Sequence, residues 1–356
     1  MSNRRPSRPA ESPRATIADV AHLAGVHAST VSRALNPATR GMVTEAVALR
    51  VTAAADSLGW RPSALAAGLR TRRSRTIGML VPDLVNPIFP PIVRAAETLL
   101  AEQGYATLVA NTDNDPARET LLIERMATHL VDGLMLASAA EGSDALALCA
   151  RFGIPAVLIN RRLPGGLEQS GVSAVTNDDG HGIGLVVAHL VALGHRRIAH
   201  LAGPPGVSTA RDRREGFLAA LQAAGLDPAA APIQTARGYT AEAGREAMAA
   251  LLASGAPLTA VVAANDMLCL GVYDALAEAG LRVGVDVSVT GFNDMPFVDR
   301  IHPPLTTVRI QHAAMGREAA GMLLAEIAAP EATRRDVRLT PELVIRASTA
   351  PLLTAS

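Results

Sequence analysis

The sequence predicts an all-helical N-terminal domain followed by an α/β core of two doubly wound parallel-sheet subdomains. A length of 356 residues allows two or three domains with sizeable cores. Charge is unevenly distributed along the chain. The whole chain has 33 basic and 33 acidic residues, but residues 1–75 contain 12 Arg and only 4 acidic residues. After residue 75, strand-length apolar runs alternate with helical stretches, which is typical of a parallel sheet covered on both faces. The two parts are therefore expected to have different partners.

The order of these segments gives the expected domain boundaries. Residues 1–14 are rich in Arg, Pro and Ser, which predicts a disordered basic tail. Residues 15–60 hold three short helical patterns, and residues 61–74 form a basic linker. The α/β core covers residues 75–356. Within it we expect one subdomain at about 75–173 and 306–336 and a second at about 174–305 and 337–350.

The first two helices follow from their end signals. Thr16 with Asp19 three residues later is a capping-box pattern that starts the first helix. Gly25 suits the tight turn after it. Residues 28–35 then form a second short helix, in which Val31 and Leu35 are four residues apart. A helix, a glycine turn and a helix in this order predict a helix-turn-helix unit.

A third helix completes the N-terminal domain. Thr44 is its expected N-cap and Gly59 the residue just beyond its end. Val47 and Val51 repeat at helical spacing, so this helix can cover the first two. Three helices in this order form a small DNA-binding headpiece, which agrees with its excess of Arg.

The core shows two series of strands. Apolar runs of strand length lie at 76–81, 106–110, 133–136 and 156–159 in the first series and at 198–202, 260–263 and 287–291 in the second. Residues 196–204 also repeat the pattern of residues 74–82. Two similar α/β halves place a crevice at the carboxyl ends of their strands, where we expect a small ligand to bind.

Several classes of protein are not supported by the sequence. Cys149 and Cys269 are 120 positions apart without metal-ligand spacing, so we expect two buried free thiols, no metal site and no disulfide framework. The glycine-rich segment 180–184 lacks a dinucleotide-binding spacing, and the chain has no Lys for a nucleotide-binding loop. We therefore expect no catalytic residues, no cofactor and no enzyme activity. No secretion signal or membrane span is recognisable, which predicts a cytoplasmic protein with no membrane partner.

The headpiece and core together resemble the lactose-repressor (LacI) family of bacterial transcription regulators. The resemblance in the headpiece rests on Thr16, Ile17, Asp19, Val20, Ala21, Ala24, Gly25, Val26, Thr30, Val31, Ser32 and Arg33, followed by residues 58–62. In the core it includes residues 86–89, 194–198, 264–266 and 304–308. It covers nearly the whole chain after the basic tail. The resemblance implies that the core has the fold of periplasmic sugar-binding proteins.

The resemblance implies which residues contact double-stranded operator DNA. In the family the second helix enters the major groove, and the matching positions in that helix are Ala28, Ser29, Thr30, Ser32 and Arg33. Thr16, at the start of the first helix, and His27, just before the second, are also expected to contact DNA. Arg33 suits a bidentate guanine contact or a phosphate contact, and the sequence leaves both open. His27 departs from the Ser that is common at that position. The family's hinge helix matches residues 62–69, with Ser63 at the DNA and Leu69 as a minor-groove wedge. An ordinary Ala-rich linker is the alternative for this segment.

The resemblance also implies an effector site in the crevice. The matching residues are Asp83, Asn86, Phe89, Asn160, Arg161, Arg213, Asn265 and Asn293. Amides and carboxylates can bracket hydroxyl groups, an aromatic face can pack on a ring, and Arg can reach a carboxylate. Each residue also has a structural alternative as a turn, core or solvated residue. Asn293 stands where many relatives have Asp, so two arginines in the pocket favour a sugar acid somewhat over a neutral sugar.

The function predicted from the sequence is a homodimeric repressor that binds a palindromic operator and is controlled by a small polar effector. A solute-binding protein of a transport system is the alternative, because it would share the core. That alternative would need a signal peptide and would not begin with a basic helix-turn-helix segment. The sequence leaves open which effector binds and whether it releases or recruits DNA.

Overall fold

A computed structural model describes residues 15–36, 39–61, 73–163 and 165–352. The chain forms two compact units, Met1–Ser74 and Arg75–Ser356. The basic tail expected at 1–14 lies outside the described residues, as do residues 62–72 of the expected hinge, including Ser63 and Leu69.

The first unit contains the three helices that the sequence predicts. They are α1 (Ile17–Ala24), α2 (Ala28–Leu35) and α3 (Glu45–Ser57), with a 3-10 turn at Arg40–Met42. The capping box is present, since the Asp19 amide donates to the Thr16 hydroxyl and the Thr16 amide donates to the Asp19 carboxylate. Gly25 ends α1 with a φ of 62°, a conformation that glycine adopts without strain. Val20, Val31 and Val51, one from each helix, are fully buried together.

The second unit contains two six-stranded sheets. The strands of the first sheet are β1 (Thr76–Val81), β2 (Ala106–Asn111), β3 (Gly133–Leu136), β4 (Ala156–Ile159), β5 (Ala174–Asn177) and β11 (Asp336–Leu339). Their order is β2-β1-β3-β4-β5-β11, and every neighbouring pair is parallel. Its helices are α4 (Phe89–Glu102), α5 (Pro116–Thr128), α6 (Ala145–Phe152), α7 (Gly166–Ser170) and α12 (His312–Ala328).

The second sheet repeats this topology. Its strands are β6 (Ile198–Ala202), β7 (Ile233–Thr235), β8 (Ala260–Ala263), β9 (Ser288–Asn293), β10 (Thr306–Arg309) and β12 (Glu342–Val344). Their order is β7-β6-β8-β9-β10-β12, and the sheet is parallel except that β12 runs antiparallel to β10. Its helices are α8 (Asp179–Ala192), α9 (Ser208–Ala223), α10 (Ala241–Ala253) and α11 (Asp266–Glu278). The predicted fold of a helical headpiece and two doubly wound subdomains is confirmed.

The subdomain boundaries differ from those expected. The strand β5 lies beside β4 in the first sheet, although we expected residue 174 to open the second subdomain. The strand β10 lies beside β9 in the second sheet, although we expected residue 306 to return to the first. The strand β11 belongs to the first sheet through Leu339, past the expected boundary at 336. The sheet to which a strand belongs is decided by the strand with which it pairs. The sequences of these short strands do not indicate that partner.

The chain therefore passes between the subdomains three times. The passages lie between β5 and α8, between β10 and α12, and between β11 and β12. Cys149 and Cys269 are free and buried, as expected. Among the described residues, no helix combines the length and the apolar character that a membrane span needs.

Close packing of two helices in the second subdomain gives the first prediction. A side chain at Gly271 in α11 would overlap the carbonyl of Ala241 and the amide of Arg245 in α10. Gly184 in α8 has nothing within 4 Å of such a side chain. Gly271→Ala should therefore lower the free energy of unfolding by roughly 1–3 kcal/mol. Gly184→Ala should raise it by about 0.5–1 kcal/mol. Urea denaturation of both variants checks this, and equal values would contradict the close approach.

Candidate functional site

The outer face of α2 carries the residues expected to read DNA. Val31 and Ala34 point into the headpiece core and are buried. Ser29, Ser32 and Arg33 are exposed, and their spacing places them on one face of the helix. Ala28 and Thr30 are half-buried. The helix thus presents short polar side chains and one long cation to solvent.

His27 fixes the start of α2. Its Nδ1 accepts a hydrogen bond from the Ser29 amide at 3.3 Å and lies 2.9 Å from the Ser29 hydroxyl. An imidazole therefore fills the N-cap role in which the family commonly uses Ser. Thr16 has the same kind of role at the start of α1. Both residues are exposed, so their capping contacts leave part of each side chain accessible.

Arg33 is available for a partner outside the chain. The ion pairs of the described headpiece residues join Arg40 to Glu45 and Arg61 to Asp56, and neither includes Arg33. An exposed guanidinium on the outer face of a short helix suits either a base edge or a phosphate.

All eight residues expected to bind the effector line a single cavity of about 130 Å³ in the core. They are Asp83, Asn86, Phe89, Asn160, Arg161, Arg213, Asn265 and Asn293. Seven are buried, and Asp83 is half-buried. They come from both subdomains, and most follow the carboxyl end of a strand, as the crevice of a doubly wound fold requires. The structure therefore brings together residues that are up to 210 positions apart.

Arg213 is the most strongly connected of these residues. Its Nε and Nη2 lie 2.9 Å from the Asp179 carboxylate, and its Nη1 donates to the carbonyl of Ala264 at 2.6 Å. Its Nη2 also lies 3.4 Å from the Asn293 amide oxygen. The guanidinium stacks 3.9 Å above the ring of Phe292. Arg213 is 2% exposed, so these contacts take the place of water.

The charge of Arg213 is balanced inside the protein. Burial raises the pKa of Asp179, and the guanidinium of Arg213 opposes that rise. A short two-nitrogen contact is the geometry in which an ion pair stays ionised when buried. The pair therefore places a guanidinium at the cavity without an excess positive charge.

Arg161 is balanced less directly. Its Nη1 donates to the carbonyl of Ser138 at 3.0 Å and its Nη2 to the amide oxygen of Asn114 at 2.8 Å. The hydroxyl of Ser138 donates to the buried carboxylate of Glu119 at 2.5 Å. Burial lowers the pKa of Arg161, and Tyr239 and Glu119 oppose that effect. Glu119 thus supplies the compensating charge through one intervening residue.

Two asparagines reach the cavity from an unusual backbone conformation. Asn160 has a φ of 63° and Asn293 a φ of 114°. Asparagine tolerates positive φ better than most residues, yet such positions still cost free energy and occur often at functional sites. The Oδ1 of Asn160 is buried and has no hydrogen-bond partner in the structure. A ligand hydroxyl could supply the missing donor.

The remaining predicted residues also stabilise the local backbone. Asp83 accepts from the Val85 amide, Asn86 from the Ile88 amide, and Asn265 caps α11 by accepting from the Leu268 amide. These are sequence-local contacts. Phe89 begins α4 and is buried with its ring at the cavity. These residues therefore have the local structural roles that were considered as alternatives, and they also line the cavity.

Two further polar residues, Asn114 and Tyr239, line the cavity and were not among the predicted site residues. Asn114 follows β2 and has a φ of 55°, and Tyr239 follows β7. Both stand just beyond the carboxyl end of a strand, and this position is the signal that could have identified them. Within the described parts of the chain, no cluster of three or more His, Cys, Asp or Glu side chains could hold a metal ion.

Comparison with known proteins agrees with this architecture. Residues 16–63 match the bacterial regulatory proteins of the lacI family, and residues 187–349 match a periplasmic binding protein-like domain. The ribose operon repressor of Escherichia coli K12 is 34% identical over 336 residues, which cover 94% of this chain and 99% of the repressor.

Solved structures show the same relationship. The lac repressor dimer bound to operator and the anti-inducer ONPF has a TM-score of 0.82 at 28% identity, covering 94% of this chain and 99% of that one. A regulator of the family from Enterococcus faecium with bound ribose has a TM-score of 0.69 at 30% identity, covering 78% and 100%.

A helix-turn-helix headpiece joined to a two-subdomain ligand-binding core defines a ligand-responsive DNA-binding protein. The chain belongs to the lacI family of bacterial regulatory proteins, and it is a DNA-binding transcriptional regulator. The alternative of a transport solute-binding protein is thereby excluded as its main function, because the relatives match headpiece and core together.

Asp266, which begins α11 beside the cavity residue Asn265, gives a pH-dependent prediction. It is fully buried, and it accepts hydrogen bonds from the Met295 amide at 2.8 Å and the Thr307 hydroxyl at 2.5 Å. Burial raises its pKa from 3.8 to about 7. The folded state therefore binds this proton more tightly than the unfolded state, so the contribution to stability falls as pH rises from about 4 to about 7.

Asp266→Asn should remove this loss. Its free energy of unfolding should decline less, or rise more, between pH 4 and pH 7 than that of the wild type, as measured by urea denaturation at several pH values. Asp274→Asn, an exposed position in the same helix, is the control and should follow the wild-type profile. Identical profiles for all three proteins would mean that folding does not raise the pKa of Asp266.

Proposed function

We propose that this regulator binds a palindromic operator as a homodimer in the cytoplasm, represses transcription there, and responds to a small sugar bound in the crevice. The observation that carries the proposal is the convergence of eight polar and aromatic residues in one cavity of a chain that also presents an exposed DNA-reading helix. In this proposal the headpiece binds DNA and the cavity binds the effector that controls it.

The DNA side of the proposal rests on α2 and on charge. One reading helix contacts one half-site, so a two-fold dimer is needed to read a palindrome. The excess of Arg in residues 1–75 supports phosphate binding, which makes affinity depend on salt. We assign base or phosphate contacts to the outer face of α2, namely Ser29, Ser32 and Arg33. We assign the hinge contacts to Ser63 and Leu69.

The effector side of the proposal favours a neutral sugar. Both cavity arginines are compensated within the protein, Arg213 by Asp179 and Arg161 by Glu119. A carboxylate ligand would therefore add an unbalanced buried charge beside Asp83, which also lines the cavity. This proposal departs from the preference for a sugar acid that the sequence suggested. The related regulator with bound ribose supports a neutral sugar.

Control of DNA binding follows from the crevice between the subdomains. A ligand that contacts residues of both subdomains favours the conformation in which the crevice residues of both subdomains contact it at once. Asn86 and Phe89 come from the first subdomain, and Arg213 and Asn293 from the second. We infer that the effector changes operator affinity through its different contacts with the two conformations.

Arg33 gives the test of the DNA side. The operator is first recovered by selecting bound sequences from a randomised DNA pool with the wild-type protein. Arg33→Ala should weaken binding to that operator by about 1–3 kcal/mol, roughly five- to 150-fold, and weaken non-specific binding much less. Fluorescence anisotropy at several salt concentrations measures both. Arg50→Ala, an exposed arginine in α3, is the matched control and should leave the ratio of specific to non-specific affinity unchanged.

Equal losses on operator and random DNA would reassign Arg33 to phosphate binding. An affinity for selected DNA that does not fall with salt would contradict the assignment of the basic headpiece to DNA binding.

A further inference from the structure

A second cavity adjoins the proposed effector site. It has a volume of about 320 Å³ and shares Asn114, Arg161, Gly238 and Tyr239 with the inner cavity. The inner cavity, at about 130 Å³, is smaller than the roughly 300–1,000 Å³ typical of small-molecule sites. The outer cavity brings the crevice into that range, so the two together form a site for a longer ligand.

The outer cavity contains a buried hydroxyl without a partner. Thr112, just beyond the end of β2, is 1% exposed and lines this cavity. Its Oγ1 has no hydrogen-bond partner in the structure. Leaving a buried hydroxyl unpaired is costly, and the inner cavity has the same feature in the Oδ1 of Asn160. Each cavity therefore holds one polar atom that a ligand hydroxyl can satisfy.

Among the described residues, most charged side chains of the outer cavity have side-chain partners within the protein, and the exception is Asp115, whose carboxylate accepts from the Ala117 amide. The carboxylate of Glu119 accepts from the hydroxyls of Ser138 at 2.5 Å and Ser143 at 2.6 Å. Ser138 also accepts from Arg161 through its carbonyl, so one residue joins the two opposite charges. Near the rim, Glu141 pairs with Arg211. A wall whose charges are mostly paired, with one unpaired carboxylate and oriented hydroxyls, suits an uncharged polar ligand better than an anionic one.

Tyr239 lies where the two cavities meet. Its side chain occupies the space that a Cβ at residue 203 would fill, so Gly203 makes room for it. Its hydroxyl lies 3.3 Å from that of Thr209. A ring fixed in this way offers an apolar surface between two polar pockets, which suits a ligand made of two linked rings.

We propose that the outer cavity is a second subsite that binds an uncharged polyhydroxylated unit linked to the unit in the inner cavity. The effector is then a neutral disaccharide or glycoside. This inference rests on the proposed function, because it assumes that the inner cavity binds a sugar.

Calorimetry on the full-length chain tests the subsite. The probes are D-glucose, D-galactose, D-xylose and D-ribose, and the disaccharides cellobiose, maltose, lactose and xylobiose. At least one disaccharide should bind more tightly than its constituent monosaccharides. Thr112→Val should weaken that disaccharide about three- to tenfold and change monosaccharide affinity less than twofold. Thr112→Val should still fold, because the hydroxyl that it removes has no partner.

Thr107→Val is the matched control. The hydroxyl of Thr107 in β2 is also buried and unpartnered, but the residue does not line either cavity. This variant should bind every probe as the wild type does.

The possible outcomes separate the subsite from the proposed function. Monosaccharide binding without a gain for any disaccharide would overturn the subsite and leave the sugar effector intact. A loss in Thr112→Val that is equal for both kinds of sugar would also overturn it. Lactobionate binding more tightly than lactose would overturn the uncharged ligand. If no probe binds, the sugar effector itself is wrong, and the subsite falls with it.

Discussion

The buried contact between Arg213 and Asp179 organises the wall of the crevice in the second subdomain. It joins α9 to α8, and the same guanidinium bonds the carbonyl that follows β8 and approaches Asn293 at the end of β9. Four segments are therefore fixed by one side chain. Removing a single partner of such a buried pair typically costs 3–5 kcal/mol, because the other charge is left uncompensated. The wall is thus preorganised before a ligand arrives.

In the proposed effector site, this contact also favours an uncharged ligand. An arginine already paired with a carboxylate brings little net charge to the cavity, and Glu119 gives Arg161 a similar balance. Hydroxyl groups are the ligands that the neighbouring asparagines recognise best. The crevice wall of the second subdomain also lies close to one of the chain passages between the subdomains. Asp294, next to Asn293, binds Arg309 at the end of β10 at 2.7 Å, so a change at the crevice can reach the passage into α12.

Much of this arrangement could be predicted from local sequence. The capping pattern of Thr16 and Asp19, the turn at Gly25 and the strand at 76–81 all lie within short windows, and each appears where expected. The family resemblance identified eight residues, distant in the sequence, that line one cavity in the structure. What could not be predicted depends on long-range pairing. The sheet to which β5 and β10 belong, the compensation of Arg213 by Asp179, and the positions of Asn114 and Tyr239 are set by contacts between distant segments.

The most direct test of the account measures operator affinity with and without each sugar that binds the core. At least one neutral sugar should change the operator Kd by fivefold or more, in the range of typical allosteric coupling. The variant Arg213→Met with Asp179→Asn removes both charges together and so avoids an unpaired buried ion. It should retain operator affinity and lose the response to sugar. A sugar that binds the core without changing operator affinity, or a double variant that responds as the wild type does, would contradict the claim that the crevice controls the reading helix.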